Sequence, residues 1–71
     1  MQRYFFHLLA DDLEVPDLVG ADLKGIGAVR EYAEAQRADI WAQRVLAGSP
    51  PLRGWLEVVD WEGRGVLRLP L

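Results

Sequence analysis

Residues 26–47, IGAVREYAEAQRADIWAQRVLA, decide how the rest of the chain is read. With successive residues about 100° apart, Ile26, Val29, Ala33, Ile40 and Ala47 fall on one arc roughly a third of the circumference wide. That is the stripe of a helix lying on a sheet, with Tyr32 and Gln36 flanking it. Gly48 stands where a left-handed cap belongs, and Pro50 and Pro51 prevent continuation. Asp22 is placed to cap an early turn, but Gly25 and Gly27 each disfavour helix by about 1 kcal/mol relative to alanine. The helix is therefore expected from Ile26 to Ala47.

Arg30, Arg37 and Arg44 recur every seven residues and line up beside the apolar stripe. Glu34 lies four residues after Arg30 and three before Arg37, so this row is expected to be a solvated, salt-bridged flank. Trp41, four residues after Arg37, offers a ring for a guanidinium. The opposite arc carries Ala28, Ala35, Ala38, Ala42 and Leu46, with Trp41 and Val45 at its edge. Alanine suits exposed helix positions, but Trp41 and Val45 do not, and Trp41 is a candidate interface residue.

Working outward, Arg3–Leu9 reads as a strand with Tyr4, Phe6 and Leu8 on one side and Phe5, His7 and Leu9 on the other. The Tyr4 side, free of imidazole, is assigned to the helix. Ala10, Asp11 and Asp12 form a turn, Leu13–Pro16 a short edge strand, and Asp17–Gly25 a loop into the helix. Beyond the helix, Gly54–Asp60 and Val66–Leu71 form a hairpin. Asp60 and Gly63 suit a type I turn, and Gly65 allows a bulge. Leu67, Leu69 and Leu71 give the face that meets the helix. The expected architecture is α+β, a single domain over residues 1–71. It is a two-layer ββαββ arrangement with one helix packed on a small, antiparallel-rich four-stranded sheet.

This arrangement leaves Phe5, His7, Trp55, Val59 and Val66 on the sheet face away from the helix, which one helix cannot cover. The five are candidate interface residues. Size points the same way. A chain of 71 residues is near the length at which only about 60% of the unfolded surface is buried. It has no cysteine, so neither a disulfide nor a cysteine-based zinc site adds stability. With 51% hydrophobic residues and three tryptophans, a homodimer or higher homo-oligomer is the natural remaining source, with a protein partner as a further option.

The net charge of −3 argues against nucleic acid as a partner, since such binding needs cations to neutralise phosphate. The aromatics Tyr4, Phe5, Phe6 and Trp55 lack the basic setting for base stacking. Residues 11–22 hold five acids and no cation, leaving eight cations against six acids elsewhere, so opposite patches exist that can meet in an oligomer. Met1–Ala10 is not a secretory signal, and no apolar run approaches a membrane span, so cytoplasmic residence is expected and a membrane partner is not.

Chemistry is sparsely supplied. There is one Ser and one His, no Cys and no Thr, and Ser49 lies far in sequence from His7. No catalytic residue and no enzyme activity is expected. His7 with Asp11, Asp12, Glu14 or Asp17 offers hard ligands near one turn but no recurrent ligand spacing, so no metal and no cofactor is assigned. His7 is read as a strand histidine bonded to a neighbour such as Glu57. A metal-dependent enzyme using His7 and the acidic turn is the least favoured reading.

The opening Arg3-Tyr4-Phe5-Phe6-His7-Leu8, the acidic turn, Pro16-Asp17 with Gly20, the alanine-rich helix and Gly54-Trp55 before a terminal hairpin together resemble an uncharacterised family of short bacterial proteins. That family is a domain of unknown function. The resemblance spans essentially the whole chain and implies no activity. Pro16-Asp17-Leu18-Val19-Gly20, after two short strands and before a helix, also resembles HicB-type antitoxin domains over about twenty residues. That likeness implies a regulatory partner that masks a small toxin or RNA-related protein. The leading expectation is a noncatalytic, self-associating interaction module; the HicB-like regulatory partner is the alternative.

Overall fold

β1 (Gln2–Ala10) is a run of aromatic and aliphatic residues after Arg3, broken only by His7, and the sheet forms around it. A computed structural model describes all residues, 1–71. After β1 come β2 (Leu13–Val15), β3 (Ala21–Leu23), α1 (Ile26–Leu46), β4 (Gly54–Val59) and β5 (Gly65–Pro70). Every pairing is antiparallel, in the order β2-β1-β4-β5, with β3 also paired to β1. The α+β class and the single helix agree with the sequence reading, but the sheet has five strands, not four.

The additional strand is β3, in residues expected to be loop. Three residues centred on an aspartate carry no alternation that marks a strand, and β1 imposes the pairing. Gln2 stands opposite Leu23, Arg3 opposite Asp22 and Tyr4 opposite Ala21. Arg3 grips Asp22 with two hydrogen bonds, Nε to Oδ1 at 2.9 Å and Nη2 to Oδ2 at 3.0 Å. Asp22 is thus unavailable as a helix cap, and α1 starts after an extended Gly25 with no side-chain cap.

The far end of α1 closes as a Schellman motif. The Gly48 N–H donates to the Val45 carbonyl at 3.1 Å and the Ser49 N–H to the Arg44 carbonyl at 2.9 Å, with Gly48 at φ 66°. Val29 and Ala33, fully buried, meet Tyr4, Phe6, Leu56, Val58 and Leu69 in the core. The Tyr4 side of β1 and the leucine side of β5 do face the helix. At 21 residues α1 is about 31 Å long, whereas the six-residue strands β4 and β5 beneath it reach only about 20 Å. Its C-terminal part therefore overhangs, leaving Trp41, Val45 and Leu46 exposed at 49%, 74% and 87%.

The arginine row is not the expected salt-bridged flank. Arg37 Nη1 donates to the Pro70 carbonyl at 3.0 Å and Arg44 Nε to the Pro50 carbonyl at 2.8 Å, and Glu34 pairs with neither. Chain ends and proline loops leave carbonyls without strand partners, and long arginines supply the missing donors. The guanidinium that stacks on a tryptophan is Arg68, 4.4 Å from the Trp55 ring centroid, not Arg37 on Trp41.

The β4–β5 hairpin turns at Asp60. Its carbonyl accepts the Gly63 N–H at 3.0 Å, and Oδ1 accepts the Glu62 and Arg64 N–H groups, both at 2.9 Å. The register slips at Val59, which pairs with Gly65 and leaves Val66 as the extra residue. The bulge turns Val66 toward the core, where it packs half-buried, so it does not belong to the far face as expected.

Gly54 holds φ 150°, and a Cβ there meets Ala10 Cα at 2.6 Å and the Leu9 carbonyl closer still. Gly27, by contrast, has open space around it. Gly54→Ala is expected to cost about 2–4 kcal/mol and lower Tm by at least about 10 °C. Gly27→Ala should raise stability by about 0.5–1 kcal/mol. Thermal melts followed by circular dichroism check both signs.

Candidate interaction face

The sheet face away from α1 is built from cross-strand rows fixed by register. Phe5 stands opposite Val59, His7 opposite Glu57, and Leu9 opposite Trp55. On the next strand Glu57 faces Arg68 and Trp55 faces Pro70. Two apolar rows thus bracket a polar row of His7, Glu57 and Arg68. Arg68 donates to Glu57 Oε2 from Nε at 3.0 Å and from Nη2 at 2.7 Å while lying over Trp55, so the charges are paired laterally within the face. Beside this row His7, Leu9, Glu14, Pro16, Glu57 and Val59 line an open cleft of about 320 Å³.

The outer edge of β1 is completed by one side chain. β2 covers Leu8–Ala10 and β3 covers Gln2–Tyr4, leaving the Phe6 amide between them. Asp17 fills the gap: its Oδ2 accepts the Phe6 N–H at 3.0 Å. Its Oδ1 accepts the N–H groups of Val19 at 3.1 Å and Gly20 at 3.0 Å, an Asx-type turn that swings the chain from β2 into β3. The Asp17 N–H donates to His7 Nδ1 at 3.0 Å, so the proton of the neutral imidazole sits on Nε2. His7 is therefore bonded to Asp17, not to Glu57.

Gly20 closes the same motif. At φ 77° a Cβ there meets the Tyr4 carbonyl oxygen at 2.8 Å and Phe5 Cε1 at 3.0 Å. The aromatic opening of β1, the Pro16-Asp17 turn with Gly20 and the Gly54-Trp55 start of β4 thus form one connected arrangement. Over residues 3–71 the chain matches a family described as a domain of unknown function, DUF6894. The chain belongs to this family. No curated protein and no solved structure matches it.

In this DUF6894 chain the register brings Phe5, His7, Trp55 and Val59 together on one face, while Val66 and Trp41 lie elsewhere. Trp41 belongs to the helix layer, beside Leu71 and the loop after α1. Leu9, Glu57 and Arg68 complete the face. Leu9 and Glu57 were legible from alternation with His7 and Trp55, whereas the Arg68–Trp55 stack depends on strand order. Asp17 stood out in the sequence as a possible hard ligand and in Pro16-Asp17, but its bridging of the β1 edge depends on the fold. The acidic turn does not converge: Asp11, at φ 51°, is tied to Arg53, and no group of three or more His, Asp or Glu side chains is placed to hold a metal ion. No helix is long and apolar enough to cross a membrane.

Burial of the Asp17 carboxyl acts to raise its pKa, but the N–H donors of Gly20, Phe6 and Val19 and the charge His7 carries when protonated outweigh it, and the net shift is downward. A carboxyl whose pKa is lower folded than unfolded stabilises the fold at pH values above the unfolded pKa of about 3.9, and that contribution is lost as pH falls through the folded value. Asp22 shifts the same way, chiefly through its hydrogen bond from Arg3. Tm should therefore fall on acidification below about pH 4, and Asp17→Asn and Asp22→Asn should each flatten that fall relative to the wild type. At neutral pH, Asp17→Ala leaves three backbone donors short of an acceptor and is expected to cost about 2–3 kcal/mol. Denaturant titrations across pH test both statements.

Proposed function

We propose that this chain is a noncatalytic module that self-associates, first as a homodimer, through the sheet face bearing Phe5, His7, Trp55 and Val59. One observation carries the reading: the helix roofs a single face of the sheet. On the uncovered face Trp55 is 38% exposed and Phe5, His7, Leu9 and Val59 are half-buried, a largely apolar surface that a second copy would cover. A two-fold contact is also chemically self-complementary here. Exchange of the lateral Arg68–Glu57 pair across the axis keeps both charges satisfied, and the apolar rows on either side meet each other.

Catalysis finds no comparable support. The one imidazole has Nδ1 committed to the Asp17 backbone, and Asp17 itself is spent on three amides. The HicB-like alternative rests on Pro16–Gly20, of which Asp17 and Gly20 already serve to close the edge of β1.

At about 100 μM, light scattering coupled to size exclusion is expected to return twice the 8.0 kDa protomer mass, falling to one protomer in Trp55→Glu with an unchanged far-ultraviolet spectrum. A wild-type protein that stays at protomer mass under these conditions defeats the proposal.

A further inference from the structure

His7 holds the backbone of the same residue whose carboxylate closes the β1 edge. The Asp17 N–H donates to His7 Nδ1 at 3.0 Å, a bond that exists only while Nδ1 keeps a free lone pair. A second proton on the ring turns Nδ1 from acceptor into donor and sets it against another N–H at that separation. The neutral and the charged ring therefore cannot share one geometry.

The surroundings decide where a charged ring goes. On the connector, the Asp17 carboxylate already takes the N–H groups of Phe6, Val19 and Gly20, and those bonds do not involve the ring. From β4, Glu57 stands directly opposite His7; its Oε2 takes both Arg68 bonds, and its Oε1 has no partner. From β2, Glu14 lines the same open cleft as His7 and makes no ion pair. Arg68, on β5, is the cation of this row, and the strand order puts Glu57 between it and the ring. The cleft gives the ring room to turn, and both glutamates are on its wall.

The geometry points to a proton-controlled latch on the Asp17 turn: neutral His7 holds the Asp17 N–H, and the imidazolium releases it and turns into the cleft toward Glu14 and Glu57. Nothing but a proton is exchanged, and imidazole is the side chain that takes one up near neutral pH. Because the Asp17 carboxylate keeps its three donors, release is confined to the ring, the Asp17 amide and the cleft, and the fold is retained. The latch belongs to a single chain and stands whether or not the far face binds a second copy. Since the cleft opens on the face that bears Trp55 and Val59, one ring sets the charge and the shape which that face presents.

The bond is read directly in ¹⁵N-labelled wild type. At about pH 8 a ¹⁵N–¹⁵N coupling across the hydrogen bond from the Asp17 amide to His7 Nδ1 is expected, with the ring protonated on Nε2 alone. From about pH 8 to about pH 5, the span over which imidazoles take up a second proton, that coupling should vanish with the midpoint of the ring resonances. Exchange protection of the Asp17 amide should fall roughly three- to tenfold, the loss of one hydrogen bond, while the Phe6, Val19 and Gly20 amides keep theirs. His7→Asn, whose Oδ1 falls where Nδ1 was and does not titrate, should keep the Asp17 amide protected throughout. A neutral ring protonated on Nδ1, an Asp17 amide indifferent to the His7 titration, an equal loss of protection at all four amides, or the same loss in His7→Asn overturns the latch. Light scattering at the same pH values reads the far-face contact separately, so either proposal can fail while the other stands.

Discussion

The fold depends on a carboxylate that stands in for a piece of strand. β2 and β3 are each three residues long, too short to hold the edge of β1 alone, and they are separated by an amide that neither reaches. Asp17 joins them by accepting the Phe6 N–H while its other oxygen folds Val19 and Gly20 back toward β1. A buried strand edge with an orphaned amide is costly, and one ionised side chain meeting three donors resolves it at a single point. The price is the charge, which ties the edge to pH, while the Asp17 backbone N–H separately takes His7 Nδ1 as its acceptor.

With that edge closed, the opposite edge is β5, which is short, carries Arg68 and ends at Pro70. These features discourage indiscriminate strand addition. The faces are less evenly treated. α1 lies over β4 and β5 and secures a small core around Val29, Ala33, Leu56 and Val58, and the other face keeps its aromatic rows. In so small a chain, a partner that binds only the folded form would add to its stability, by an amount that grows with the logarithm of the partner's concentration relative to Kd.

Much of this was legible in the residues. The helix span, the long first strand and the hairpin follow from periodicity and from Gly48, Pro50 and Asp60, because local rules act alone there. The side of β1 that meets α1 followed from His7 on the other side. What was not legible is non-local. β3 exists because Arg3 and β1 recruit Asp22, and propensity reads those residues as loop. Val66 turns inward because the hairpin register slips, which alternation cannot foresee. Arg37 and Arg44 serve carbonyls of Pro70 and Pro50, partners that appear only once the chain is folded, so spacing to Glu34 misassigned them. Phe5, His7, Trp55 and Val59 share one sheet face by register, as alternation places them. The Arg68 stack and the Asp17 bridge required the strand order.

The proposed contact between copies across the face opposite α1 is addressed directly by isotope-filtered NMR on an equimolar mixture of labelled and unlabelled chains. Intermolecular contacts from the Phe5 and Trp55 rings to Val59 methyls are predicted. Their absence in a sample at about 1 mM, with both rings fully reached by a soluble paramagnetic probe, contradicts the account.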